Sequence, residues 1–288
     1  MKGALASCRA ILNAVRAIGD EPLPRSMVDR MLKHNLALRQ IERVLAQGQA
    51  SEVSLAAVQR LLEDEAAQPL FLIGARGARA VVDGAMEALQ NGEVSIEQVW
   101  GVLWIGLTPF ASEWDKMLLM RTASVKTSRT ALLRFNNQIV EIAKLPAEEQ
   151  RQPLRQLAAA QSQLPRLVRD ACYEAFGVGN NSHLDLAWMR SGIVMVAVER
   201  YRLAHGCWPE TLTDLVPAYL ERVPIDPYDA TPLRLGRFPQ GVILYSVGED
   251  GQDNGGNLRM PMVAGTDMGW RLWDVQHRRQ SAARGSGD

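Results

Sequence analysis

Six consecutive apolar residues, Ile193-Val-Met-Val-Ala-Val198, sit inside a stretch that otherwise reads as a helix from Ser182 to His205. A helix sends successive side chains around its whole circumference, so an unbroken run of this length leaves no polar face for water. Such a helix has to be covered on most of its surface. Ser182 is expected to cap its start, and His205-Gly206 to end it. The rest of the chain, 288 residues at 47% hydrophobic content, is long enough to bury a sizeable core as one large domain or two smaller ones.

The first half of the chain reads as a succession of amphipathic helices. Residues 2–18 place Leu5, Cys8, Ile11, Leu12 and Val15 at helical spacing and stop at Gly19-Asp-Glu-Pro22. Met27 to Ala46 repeats the pattern through Met31, Leu32, Leu36, Leu38, Ile41 and Leu45. Ser54 is expected to cap a third helix carrying Leu55, Val58, Leu61 and Leu62. Pro69 opens a fourth that closes at Asn91-Gly92, and Ser95 caps a fifth. From Phe110 to Lys144 one long helix is expected, because Leu118, Val125, Leu132 and Ile139 recur every seven residues, with Phe135 and Ile142 beside them. Arg121 and Ser128 interrupt its second seam, which favours a helical hairpin over an extended coiled coil. Pro146, Pro153 and Pro165 are expected to divide the following polar stretch into short helices.

Beyond His205, a short helix through Leu212 and Leu215 leads into β-prone segments. Residues 232–237, 242–247 and 269–273 read as strands of a small antiparallel sheet. The second strand runs into Tyr245-Ser-Val-Gly-Glu-Asp-Gly-Gln-Asp-Asn-Gly-Gly256, an acidic, glycine-rich turn. Carboxylates and freely placed carbonyls are the ligands a hard cation prefers, so the turn fits a calcium cradle. It fits an ordinary surface hairpin equally well. The fold class is therefore mainly α with a small α+β C-terminal module, a long helix packed by a small antiparallel sheet. Residues 1–181 form a helical body, 182–275 the module, and 276–288 a polar, frayed tail.

Composition narrows the function classes. Thirty-two basic and 32 acidic side chains balance, so no global field draws the chain to nucleic acid or an anionic membrane. No span reaches the roughly 18 apolar residues that cross a bilayer, and the N-terminus lacks the apolar core of a secretory signal. Cys8, Cys172 and Cys207 are too scattered for a disulfide framework or a zinc site, although a single Cys172–Cys207 bridge stays open. His34, His183, His205 and His277 are dispersed, without the close pair of a zinc-binding helix. Neither Ser246 nor Cys207 lies in a nucleophile elbow, and Gly74-Ala-Arg-Gly77 and Gly177-Val-Gly179 are too short for a phosphate loop. The tryptophans read as core anchors. No catalytic or cofactor-binding residue stands out.

Four co-linear motifs carry a resemblance. Ala197-Val-Glu-Arg-Tyr-Arg-Leu-Ala-His-Gly-Cys-Trp-Pro-Glu-Thr-Leu212, Leu215-Val-Pro-Ala-Tyr-Leu220, Val223-Pro-Ile-Asp-Pro227 and Leu244-Tyr-Ser-Val-Gly-Glu-Asp-Gly251 together resemble the C-terminal half of type II secretion major pseudopilins. The resemblance covers roughly residues 185–275, and the preceding part is similar to uncharacterised bacterial proteins with such a tail. It implies a sheet packed on the C-terminal end of the 182–205 helix and a calcium ion tying the last loop together. By position, the Val247 carbonyl and the carboxylates of Asp250 and Asp267 are the ligands it implies, with Asp253 and Asn254 as local substitutes. Asn257 to Thr266 carries no acidic residue, where pseudopilins have several, and Ala197 stands where a processed prepilin has glutamate. The function implied is a non-enzymatic binding or assembly subunit on the periplasmic side of the cell envelope, with a protein partner. The alternatives are a hydrolase with its site near the C-terminal sheet and a cytoplasmic helical scaffold with a metal-free tail.

Overall fold

A computed structural model describes residues 2–19, 21–103, 125–161, 173–259 and 263–279. In chain order the helices are α1 (Lys2–Arg16), α2 (Pro24–Gln47), α3 (Glu52–Ala66), α4 (Leu70–Gln90), α5 (Ile96–Leu103), α6 (Val125–Ala143), α7 (Ala147–Gln161) and α8 (Tyr173–His205). A 3-10 turn at Leu212–Leu215 precedes the strands β1 (Arg234–Phe238), β2 (Gly241–Ser246) and β3 (Met268–Trp273), and a second 3-10 turn, Val275–His277, follows. The architecture is mainly helical with a small C-terminal antiparallel sheet in the order β1-β2-β3. Among the described residues, no helix is long and apolar enough to cross a membrane.

The chain separates into two compact units. One comprises residues 1–19, 30–68 and 183–288, the other residues 20–29 and 69–182. The unit that holds the sheet thus draws in N-terminal segments that a linear division at residue 181 leaves with the helical body. In that unit the 193–198 run is almost fully buried, with Val194, Met195, Val196, Ala197 and Val198 all at 0% exposure. It shares one core with Leu5, Cys8 and Leu12 of α1, Leu38, Ile41 and Leu45 of α2, Leu55, Val58 and Leu62 of α3, and Val242, Leu244, Trp270 and Leu272 of the sheet. Gly192 lets α2 come close, because a Cβ there would stand 2.3 Å from Leu38 Cδ2. Trp188 packs on Trp270 with ring centroids 4.7 Å apart, and the Trp270 indole donates to the Trp188 carbonyl at 3.2 Å.

In the other unit α6 packs along α4 as a helical hairpin, and Arg129 reaches Asp83 at 2.6 Å and Glu87 at 2.9 Å. Leu132, Phe135, Ile139 and Ile142 are buried along α6, as their spacing predicts. The part of the expected long helix before Val125, with Leu118, lies outside the described residues. Gly74 and Gly77, too short a motif for a phosphate loop, are packing positions inside α4; a Cβ on Gly77 would collide with the Pro22 carbonyl.

Several boundaries differ from the sequence expectation. Ser182 does not begin a helix: α8 runs through Gly177-Val-Gly-Asn-Asn181, because Asn181 Nδ2 returns to the Gly177 carbonyl and Gly179 admits the Phe71 ring. Ser51, not Ser54, occupies the N-cap position of α3. Pro153 sits inside α7 without ending it; its missing N–H removes one hydrogen bond from the helix ladder. Leu32 and Leu36, counted in the apolar run of α2, are 55% and 49% exposed. Gln276–Arg279, expected to fray, are held by Arg278, whose guanidinium grips Glu199 at 2.8 Å on both carboxylate oxygens.

A buried ion cluster not foreseen from the sequence joins four elements of the sheet-bearing unit. His34 on α2 is fully buried between Asp185 of α8, 3.1 Å from Nδ1, and Glu65 of α3, 3.1 Å from Nε2. Arg30 of α2 also binds Glu65 at 2.8 Å, and Arg16 of α1 reaches it at 3.0 Å. Burial by itself would lower the His34 pKa, but the Asp185 and Glu65 carboxylates outweigh it and raise it to about 9. A neutral imidazole carries one N–H and so loses one of its two carboxylates. The stability His34 contributes is therefore fully present below its ordinary pKa near 6.5 and is lost as pH rises through about 9. It amounts to about 3 kcal/mol. Urea unfolding at pH 6.5 and pH 10 should show a loss of that order in the native chain and little comparable loss in His34→Gln; equal losses in both would refute the assignment.

Candidate metal centre

The acidic turn expected to hold a cation is built on Val223-Pro-Ile-Asp-Pro227. Asp226 is fully buried there, with Oδ1 accepting from the Ser246 hydroxyl at 2.8 Å and the Tyr228 N–H at 3.0 Å. Its Oδ2 accepts from the Val247 N–H at 2.9 Å, which fixes the end of β2. Burial pushes the Asp226 carboxyl up, against the pull of these donors. Arg234 on β1 then faces three carboxylates at once: Asp226 at 3.3 Å, Asp253 at 3.0 Å, and Asp229.

The loop between β2 and β3 winds tightly because Gly248, Gly251, Gly255, Gly256 and Gly265 all adopt left-handed backbone angles, φ +68 to +80. Asp250 spans it: Oδ1 accepts from the Gln252 N–H and Oδ2 from the Gly265 N–H, each at 3.0 Å. Asp267, only 1% exposed, accepts from the Asn254 N–H at 3.2 Å and the Gly256 N–H at 2.7 Å. The two carboxylates meet at Asn254, since Asp250 Oδ2 also lies 3.5 Å from its side-chain nitrogen. Asp253 is directed elsewhere, to Arg234, the Tyr245 hydroxyl at 3.1 Å and the Gly255 N–H at 2.9 Å. Those partners hold its carboxyl below the usual range in spite of burial. Burial and Asp253 push the Tyr245 phenol up to about 12.

Two buried groups in this loop lack a countercharge or a donor. No basic side chain pairs with Asp267 among the described residues, and burial raises its pKa even though the Asn254 and Gly256 N–H groups oppose the shift. Val247 is fully buried, and its carbonyl accepts no hydrogen bond among the described residues. Uncompensated buried oxygens of this kind favour a cation. The donor set is all oxygen and carries a negative charge, which suits calcium. Among the described residues, no three His, Cys, Asp or Glu side chains converge as a metal-holding group, so carbonyl oxygens have to complete the coordination.

Ser246, weighed as a nucleophile, and His205 are held in structural contacts. Ser246 is fully buried and donates to Asp226. His205 stacks on Tyr201 with centroids 4.0 Å apart, and its Nδ1 lies 2.9 Å from the Tyr201 carbonyl oxygen. Cys8 and Cys207 are free thiols, and Cys172 lies outside the described residues. Comparison with protein-family models, curated proteins and solved structures finds no match to this chain.

Asp226, Arg234 and Tyr245 are the residues whose roles the sequence did not disclose. Their signal lay in the Val-Pro-Ile-Asp-Pro segment and in Arg234, the first residue of β1. Arg234→Met should lower stability by about 2 kcal/mol, the scale of hydrogen bonds to charged groups, because it leaves Asp226 buried without its cation. Denaturant unfolding measures this; an unchanged midpoint would mean the guanidinium does not hold the loop.

Proposed function

We propose that this protein is a non-enzymatic binding or assembly subunit whose C-terminal loop takes a calcium ion through Asp250, Asp267 and the Val247 carbonyl. The supporting observation is the Asp267 carboxylate, 1% exposed and without a basic partner among the described residues; the buried Val247 carbonyl of the same loop likewise accepts no hydrogen bond among them. Bound calcium supplies charge neutralisation to that cluster. The chain's own part is to hold the oxygens: Asp226 fixes Val247, Gly265 and Gln252 orient Asp250, and Asn254 and Gly256 orient Asp267. Arg234 pairs with the neighbouring Asp226, Asp229 and Asp253, whereas Asp267 is buried without a basic partner among the described residues. The envelope setting and the protein partner rest on the resemblance of residues 185–275 to major pseudopilins.

A non-enzymatic role accords with the engagement of Ser246 and His205 in structural contacts. Thermal unfolding in saturating calcium and in excess chelator tests the metal. Ligand at about a hundred times its Kd stabilises by about 2.7 kcal/mol, which raises the Tm by several degrees. Asp250→Ala and Asp267→Asn should each abolish the calcium-dependent difference. A native chain with the same Tm in both media would end the proposal.

A further inference from the structure

A cleft of about 660 Å³ opens where α8 ends, away from the acidic loop's ligands, and the function proposed above makes no use of it. Its walls combine two kinds of surface. Tyr201, Trp208 and the half-exposed Val275 are apolar or aromatic, whereas Glu210, Asp214 and Asp274 are carboxylates. That pairing matches the two halves of a long basic side chain, an aliphatic stem and a cationic head.

Several observations fix the sign of the charge the cleft accepts. Three carboxylates face two guanidiniums, and one of these, Arg202, is bound fork-to-fork at 2.9 and 2.8 Å to Glu199, a carboxylate it shares with Arg278. The other, Arg237, donates to the Pro209 carbonyl at 3.0 Å. The carboxylate of Glu210 has no basic partner among the described residues and is exposed to the cleft. Asp274 holds the Trp208 indole N–H at 2.6 Å and so sets the orientation of the ring. The carbonyl end of α8 adds the negative pole of the helix dipole. The Tyr201 phenol reports the same field, being pushed up by burial and by Asp214. Arg202 lies 5.3 Å over the Trp208 ring, so this indole already serves as a platform for a guanidinium within the chain.

We infer that the cleft lined by Trp208, Glu210, Asp214 and Asp274 receives a basic side chain, arginine by preference, from a protein partner. Arginine fits better than lysine because its planar head can stack on an aromatic ring and hydrogen-bond a carboxylate together. The inference does not depend on calcium in the loop.

The test follows the Trp208 indole N–H resonance of the full-length chain while N-acetyl-arginine amide, its neutral isostere N-acetyl-citrulline amide, or N-acetyl-glutamate amide is added. Arginine amide should shift the Trp208 signal saturably, and the other two should not. Glu210→Gln removes one exposed carboxylate without touching the Trp208–Asp274 bond and should weaken arginine binding about fivefold, the scale of one exposed ion pair. Arg237→Gln should leave that affinity unchanged or strengthen it. Equal binding of citrulline amide, no saturable shift with arginine amide, or binding of glutamate amide that Arg237→Gln abolishes would each overturn the assignment.

Discussion

A carboxylate inside an apolar core must be matched by cations, since leaving one charge buried alone costs several kcal/mol. Glu199 follows directly on the apolar run of α8 and is 0% exposed, so its compensation shapes everything around it. Arg202, one turn on along α8, supplies one bidentate partner, and Arg278 supplies another from beyond β3. Arg278 also donates to the carbonyls of Trp273 and Gly48, and the Arg279 N–H goes to Ala46. One buried charge thereby ties the last strand, the central helix and the connection between α2 and α3 into a single unit.

The same logic recurs at two other places in that unit. His34 bridges Asp185 and Glu65 where α2, α3 and α8 meet, and Arg234 gathers Asp226, Asp229 and Asp253 at the base of the loop. At Glu199 and around His34 the cations match the carboxylates, whereas Arg234 is one charge shared among three. Asp267 is buried in that loop without a basic partner among the described residues, and that imbalance is the physical reason to look for a cation there. Arg234 also explains why the loop can be wound around its glycines without a metal at every carboxylate.

What the sequence disclosed, and what it hid, divides along physical lines. Periodicity located α1, α2, α4 and the three strands to within a few residues, because a buried stripe or an alternating face is written into the residue order. The apolar run of α8 announced its burial for the same reason. Residues whose role depends on distant partners left no such trace: nothing in the residue order singles out Glu199, whose partner Arg278 lies 79 positions on, and His34 reads as one of four dispersed histidines. Local stop signals misled where packing overrode them, as with Gly179 against Phe71 and Pro153 within α7. Asp250 and Asp267 were legible as a pair through the resemblance, whereas the diversion of Asp253 to Arg234 needed the position of β1.

The 193–198 run of α8 joins the N-terminal helices and the C-terminal sheet into one cooperative unit. Native-state hydrogen exchange tests it most directly. Backbone amides of Val58–Leu62 in α3, Ile193–Val198 in α8 and Val242–Tyr245 in β2 should share one opening free energy, and Arg278→Ala should lower all three together. Exchange of the sheet at an independent, unaffected free energy while the helices open separately would contradict it.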